Sequence, residues 1–340
     1  MDGRWLAAVV PEFAGAKVAV SPVGAGQLAD TFRLSLDWGI MQDGRPSSLV
    51  CKLASSDASS REISAHWRLY EREVRFYREL APAARIDTPH VHASGLAEDG
   101  SFFLLMEDLN EATPGNQLSG LQAGQAPAAM REAARLHAAF WARGDDPALG
   151  WLETGRIAQA FYSPEVFRSA WRDFRDRYRG MVPDSQLRLC DAFADLYEAY
   201  ARPLSTPRCV VHNDFRPDNM MFAANRLTVL DWQSVALGFN ALDVAYAIGG
   251  GFEPDERRSE EQALLDLYHA TLIAEGVEDY SRDQLDEDYR HFCFAGIVVS
   301  VCAAMLVKRT ERGDRMFLTM LDRHAQHAAD CDGIGLLRAR

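Results

Sequence analysis

The run Cys209 to Gln233, CVVHNDFRPDNMMFAANRLTVLDWQ, concentrates acid and amide side chains in a strand, loop, strand, strand pattern. Cys209, Val210 and Val211 deliver the chain into a polar loop, His212 to Asn219, and Met220, Met221 and Phe222 are apolar again. A turn signal at Asn225-Arg226 leads into Leu227-Thr228-Val229-Leu230 and then Asp231. The loop reads His-x-Asp-x-x-x-x-Asn, and an Asp closes an apolar strand twelve residues after the Asn. That combination suits phosphoryl transfer. Such a reaction needs an acceptor for the substrate hydroxyl proton, here Asp214, and hard oxygen ligands for Mg2+, here Asn219 and Asp231. Asn and Asp also form ordinary Asx turns. The simultaneous match at His212, Asp214, Asn219 and Asp231 weighs against that plainer reading.

The chain before this run must supply the partners. Ser48 to Leu53 reads as a strand carrying one inward lysine, Lys52. An unpaired buried ammonium is costly, so it needs a counter-charge. Ile63 to Leu80 has helical periodicity and carries Glu73 twenty-one residues beyond Lys52, with Glu71 as the alternative if the register differs. The pair would free Lys52 to hold the α- and β-phosphates of a nucleotide. Upstream, the small-residue turn Ser21 to Asp30 contains Gly24, Ala25, Gly26 and Gln27, where backbone can approach a phosphate closely. By itself it is also a plain hairpin turn. Val91 to Leu96 and Phe102 to Met106 read as strands joined at Glu98-Asp99-Gly100. Beyond them, Glu107 to Leu109 begins a polar connector where an adenine ring would meet the backbone, which makes Glu107 and Leu109 candidate nucleotide contacts.

Pro114 to Pro127 is rich in Gly, Gln and Ser and reads as a loop, after which the periodicity is helical: Ala128 to Arg143, Pro164 to Arg177 and Ser185 to Ala201. His137, on the first of these, reads as a core or supporting histidine. Only eleven residues separate Asp231 from Asp243, too few for a long segment that docks a protein substrate. Asp243 fits a helix cap or a loop anchor better than a catalytic role. Asp255 to Glu275, Arg282 to Thr310 and Arg312 to Asp330 complete the helical pattern.

At 340 residues the chain is long enough for two domains. Its 48% hydrophobic and 25% charged content suits a full core. A net charge of −13 argues against an extended nucleic-acid or anionic-membrane surface. The six cysteines are scattered through apolar runs without metal-ligand spacing and read as reduced core residues. No secretory signal is evident, and the longest apolar run, Phe292 to Val307, is about a turn short of a bilayer span. A cytoplasmic protein with no membrane partner is the expectation; oligomeric state is left open.

The motifs Glu-Val-Arg-Phe-Tyr-Arg-Glu-Leu around Glu73, Leu105 to Leu109, Leu136-His137 with Phe140-Trp141, HNDFRPDN, LDWQ and LDVAY together resemble the aminoglycoside phosphotransferase and choline kinase superfamily, most closely its ecdysteroid-kinase-like branch. The resemblance runs from about Val18 to His324. It implies an α+β, protein-kinase-like bilobal fold: an N-terminal nucleotide-binding lobe over residues 1–108, an antiparallel sheet with one helix, and a mainly helical catalytic and acceptor-binding lobe over 109–340. It implies ATP and Mg2+, with Asp214 as base, His212 buttressing the loop, Asn219 and Asp231 on the metal, Lys52 on the phosphates and Glu73 supporting it. Asn213 stands where the family commonly has glycine. The acceptor is expected to be a small-molecule hydroxyl. Apolar stretches at Phe161 to Phe174 and Phe292 to Val307 suit a neutral alcohol, phenol or sterol-like molecule. The carboxylates Asp283, Asp286, Glu287 and Asp288 leave an aminoglycoside- or choline-type cation as the alternative. A nucleotide-binding pseudokinase is the alternative from another class.

Overall fold

The computed structural model describes residues 1–24, 28–39, 44–122, 124–152, 163–224 and 226–339. The chain divides into two compact units. The first comprises Met1–Pro82, Asp87–Thr113 and Thr228–Gln233; the second comprises Ala83–Ile86, Pro114–Leu227 and Ser234–Arg340.

The first unit is built on an antiparallel sheet of β1 (Lys17–Pro22), β2 (Ala29–Asp37), β3 (Ser48–Ala54), β4 (Val91–Leu96) and β5 (Phe102–Glu107), in the order β1-β2-β3-β5-β4. Side chains alternate across a strand, so β3 sends Leu49 and Cys51 to one face and Lys52 to the other. On the first face Leu34, Leu36, Leu49, Cys51 and Leu105 close over Leu6 and Phe13 from the N-terminal segment. There α1 (Gly3–Val9) is started by the Asp2 carboxylate, which accepts from the Arg4 and Trp5 amides. Two helices, α2 (Ala58–His66) and α3 (Leu69–Arg75), precede a π-helical turn at Phe76–Leu80. The single helix expected over Ile63 to Leu80 is therefore interrupted, at Arg68, whose φ of 55° cannot continue a right-handed helix.

The second unit is mainly helical. Its helices include Gln125–Ala139, Pro164–Arg177, Asn240–Gly251, Pro254–Ala274, Ala295–Leu306 and Glu311–Asp330, with a short antiparallel pair of strands, Cys209–Val211 and Ala236–Gly238. Asn240–Gly251 runs through the core, and every residue of it but Leu242 is buried. Two segments expected as continuous helices are divided. Ser185 to Ala201 becomes Asp184–Asp195 and Tyr197–Tyr200, and Arg282 to Thr310 is broken by a 3-10 turn at Phe292–Phe294. The breaks let aromatic rings meet: Phe193 stacks on Phe294 at 4.2 Å. Periodicity records which face is apolar, not where the axis bends. The Arg282–Leu306 run is long and apolar enough to cross a membrane by length and composition, yet 72% of its most apolar window is buried within the protein. All six cysteines are free and buried.

Two histidines of the Glu311–Asp330 helix, His324 and His327, are buried, and none of their ring nitrogens has a hydrogen-bond partner among the described residues. Burial, with Arg323 and Arg257 nearby, pushes His324 down to about 3, and burial likewise pushes His327 well down. A histidine depressed in the folded state binds its proton in the unfolded chain first, so its contribution is complete above about pH 6.5 and is lost as pH falls. Urea unfolding between pH 7.5 and 4.5 should show stability falling below about pH 6.5, and His324→Gln should flatten that slope by about 1.4 kcal/mol per pH unit. An unchanged slope would mean that His324 titrates normally.

Candidate active site

In the first unit, two carboxylates converge on one ammonium. Lys52 Nζ lies 2.8 Å from Glu73 on α3 and 2.7 Å from Asp231 Oδ1. The Lys52 side chain is only 12% exposed. Burial works against its charge, but Asp231 and Glu73 outweigh it and hold the ammonium above the ordinary lysine value. Burial, opposed by Lys52 and reinforced by Asp231, pushes the Glu73 carboxyl up to about 7. Glu71, the alternative partner, is occupied by Arg68 instead.

Asp231 sits at the end of Arg226–Val229 with φ of 63°, a left-handed conformation that Asp tolerates better than most residues. Its neighbour Trp232 explains the conformation's persistence: the indole is buried, stacks on Phe76 at 3.7 Å and donates to the Val229 carbonyl at 3.1 Å. Packing therefore ties the Asp231 backbone to the turn that follows α3. Gly24 ends the β1 region at φ of 74°; Ala25, Gly26 and Gln27 lie outside the described residues. Glu107 closes β5 and accepts from the His90 amide at 2.9 Å. Asp108, not singled out from sequence, grips Arg33 through both carboxylate oxygens, at 2.6 and 3.1 Å. Leu109 follows, its carbonyl accepting from Ala112 N at 3.0 Å.

In the second unit the polar loop hangs from one buried carboxylate. Asp243, the fourth residue of Asn240–Gly251, accepts from His212 N at 2.7 Å and from Asn213 N at 2.8 Å. It is thus a loop anchor and not a helix cap. His137 lies 3.2 Å from Asp243 through Nε2 and 2.8 Å from the Tyr268 hydroxyl through Nδ1, so it supports the anchor. Asn213 adopts φ of 63°, the conformation for which glycine is best suited and which Asn tolerates. The departure from glycine at this position is therefore compatible with the loop path. His212 is fully buried and its Nδ1 accepts from Asp214 N at 3.3 Å.

Three side chains converge on the Asp214 carboxylate. Arg216 Nε lies 3.0 and 3.2 Å from its two oxygens, Asn219 Nδ2 donates to Oδ2 at 2.9 Å, and the Tyr246 hydroxyl donates to Oδ1 at 3.1 Å. Asn219 Nδ2 also reaches the Asp214 carbonyl at 2.8 Å, which leaves the amide oxygen as the atom available to a hard cation. Arg216 continues to Asp218 at 3.0 Å, and Asp218 in turn takes Arg312 at 3.1 Å and the Gln117 amide at 2.8 Å. Burial alone would raise Asp218, yet Arg216, the Gln117 N–H and Arg312 hold it below the usual carboxylate range. Arg216, Asp218 and Tyr246 were missed as site residues. The first two lie within two residues of Asp214 or Asn219, at positions that the His-x-Asp-x-x-x-x-Asn spacing leaves unspecified. Tyr246 is visible in LDVAY, three residues after Asp243, but nothing in the sequence says that it reaches Asp214.

Of the apolar side chains thought to suit an acceptor, Phe167, Trp171, Phe174, Ile297, Val298 and Val301 are buried, Phe167 against Phe193 and Tyr197, and Trp171 against Phe174 with its indole N–H on Asp191. Phe161 lies outside the described residues. Of the acidic cluster, Asp288 is buried and accepts from Thr206 at 2.6 Å and Tyr280 at 2.9 Å, and Asp286 pairs with Arg282.

The chain is similar throughout its length to several solved structures. A microcompartment-associated aminopropanol kinase is 16% identical, with a TM-score of 0.58 and 94% of each chain covered. Choline kinase from Cryptosporidium parvum Iowa II is 10% identical, with a TM-score of 0.58 and coverage of 94% of this chain and 91% of that one. The gentamicin complex of APH(2″)-IIa is 17% identical, with a TM-score of 0.51 and coverage of 91% and 93%. These likenesses establish a protein-kinase-like fold. No curated protein matches the sequence. The model of the phosphotransferase enzyme family, APH, matches residues 19–284, and with most of its length so matched the chain belongs to that family.

Proposed function

We propose that the protein transfers the γ-phosphoryl group of ATP to a hydroxyl of a small molecule, and that it sits with the ecdysteroid-kinase-like branch of its family. The observation that carries this reading is the Asp214 carboxylate, anchored through Asp243 and surrounded by donors that keep it oriented. Asp214 takes the acceptor's hydroxyl proton as the oxygen attacks phosphorus, and the bond from the β,γ-bridging oxygen to the γ-phosphorus breaks to leave ADP. Lys52, seated by Glu73, holds the α- and β-phosphates. Asp231 in the first unit and the amide oxygen of Asn219 in the second would be the oxygen donors to Mg2+, which would supply charge neutralisation for the phosphates. Carboxylate and amide oxygens are the hard donors that suit Mg2+. Gly24, Ala25, Gly26 and Gln27 are assigned to the phosphate-side turn, and Glu107 and Leu109 to the stretch that meets the base.

In this reading the chain comprises a nucleotide-binding lobe over 1–108 and a catalytic and acceptor-binding lobe over 109–340, and the protein works in the cytoplasm. For the acceptor, a neutral alcohol, phenol or sterol-like molecule is favoured over a cation, because two of the four carboxylates a cation would use are engaged within the protein. The net charge of −13, and similar folds that bear the names aminopropanol kinase and choline kinase, support the cationic alternative. A pseudokinase is disfavoured by the presence of Lys52, Asp214, Asn219 and Asp231 together.

Two substitutions test the roles. With a pool of alcohols, phenols, sterols, amino alcohols and aminoglycosides as acceptors, Asp214→Ala should lower turnover by about 10²–10⁴-fold while leaving ATP binding intact. Retained turnover would remove Asp214 as the base. For Asp231→Asn, calorimetry of ATP binding with and without Mg2+ should show most of the Mg2+ dependence lost, and an unaltered dependence would exclude Asp231 from the metal.

A further inference from the structure

The Asn240–Gly251 helix holds the polar loop twice. Asp243 grips its backbone at His212 and Asn213, and Tyr246, three residues on and so on the same helix face, reaches the Asp214 side chain. Arg216 and Asn219, the other side chains on that carboxylate, belong to the loop and move with it. Among the described residues, Tyr246 is the only side-chain donor to Asp214 from outside the loop.

The ring of Tyr246 is itself fixed. It is 2% exposed and lies nearly parallel to His324, centroids 5.5 Å apart and planes inclined by 13°. His324 fits there because Gly250 and Gly296 carry no side chain: a Cβ on Gly296 would come within 2.0 Å of the imidazole, and one on Gly250 within 2.7 Å. Phenylalanine at 246 would keep this stack and lose only the hydroxyl.

We propose that Tyr246 is a positioning residue for phosphoryl transfer, whose hydroxyl ties the Asp214 carboxylate to the core helix and orients it toward the acceptor's proton, with His324 as the stacked support of the tyrosine ring. The inference rests on the reading of Asp214 as proton acceptor. Because the hydroxyl donates to the base, its loss acts on the chemical step and not on nucleotide affinity.

The experiment compares the full-length wild type with Tyr246→Phe and Asp214→Ala, following ADP release from Mg-ATP with the acceptor pool and, in parallel, with water as the only acceptor. Tyr246→Phe should lower kcat by about tenfold, the weight of one hydrogen bond to a charged group, with KM for ATP unchanged within about twofold. Its thermal midpoint should stay within about 2 °C of wild type. If Asp214→Ala abolishes turnover while Tyr246→Phe keeps the wild-type kcat, the positioning role is refuted and the base assignment stands. A fall in kcat accompanied by a matching loss of ATP affinity and a midpoint more than about 5 °C lower would show a packing role and also refute it. If Asp214→Ala keeps wild-type turnover, or if the wild type turns over neither the pool nor water, the base assignment fails and the inference with it.

Discussion

The fully buried carboxylate of Asp243 determines the geometry of the second unit's site. Both of its oxygens accept backbone N–H groups, from His212 and Asn213, at the point where the chain leaves the Cys209–Val211 strand. A buried acid that lost those partners would carry a desolvation penalty of several kcal/mol, so the loop and the helix are held to one relative position. His137 and Tyr268 extend the constraint into the helical core. The left-handed Asn213 is the local consequence, because the chain must turn sharply there to place both amides on one carboxyl group.

The first unit solves a complementary problem, that of keeping a lysine charged while it is nearly enclosed. One carboxylate would pair with Lys52; two, Glu73 and Asp231, more than offset its burial. They arrive by different routes. Glu73 comes from α3, which lies against the sheet, and Asp231 from a segment whose Trp232 is locked onto Phe76. Glu73 is the more deeply buried of the two, its side chain 2% exposed, while Asp231 keeps a side chain 29% exposed.

Much of this was legible in the sequence where chemistry is local or a charge demands a partner. The spacing from His212 to Asn219 is a property of one tight loop, and the structure brings Asn219 onto Asp214. An inward lysine in an apolar strand required a carboxylate, and Glu73 is in contact with it. Asp243 was readable as a helix cap or a loop anchor because it falls at a helix start, and the structure makes it the anchor. What was not legible depends on the path of the chain. Interruptions at Arg68 and at Phe292–Phe294 leave the apolar periodicity intact, so pattern alone joins the pieces. Side chains that suggested an acceptor lining turned out to be helix-packing residues, since an apolar stripe has the same composition in either role. The reach of Tyr246 to Asp214 spans 32 positions, and no spacing rule encodes it.

The central claim is that the γ-phosphoryl of ATP ends on a carbon-bound hydroxyl. The most direct measurement is phosphorus NMR of the protein incubated with Mg-ATP and mixed small-molecule alcohols. A phosphomonoester resonance that grows in step with ADP is the expected result. ADP accompanied only by inorganic phosphate, or bound ATP that is never consumed, would contradict it.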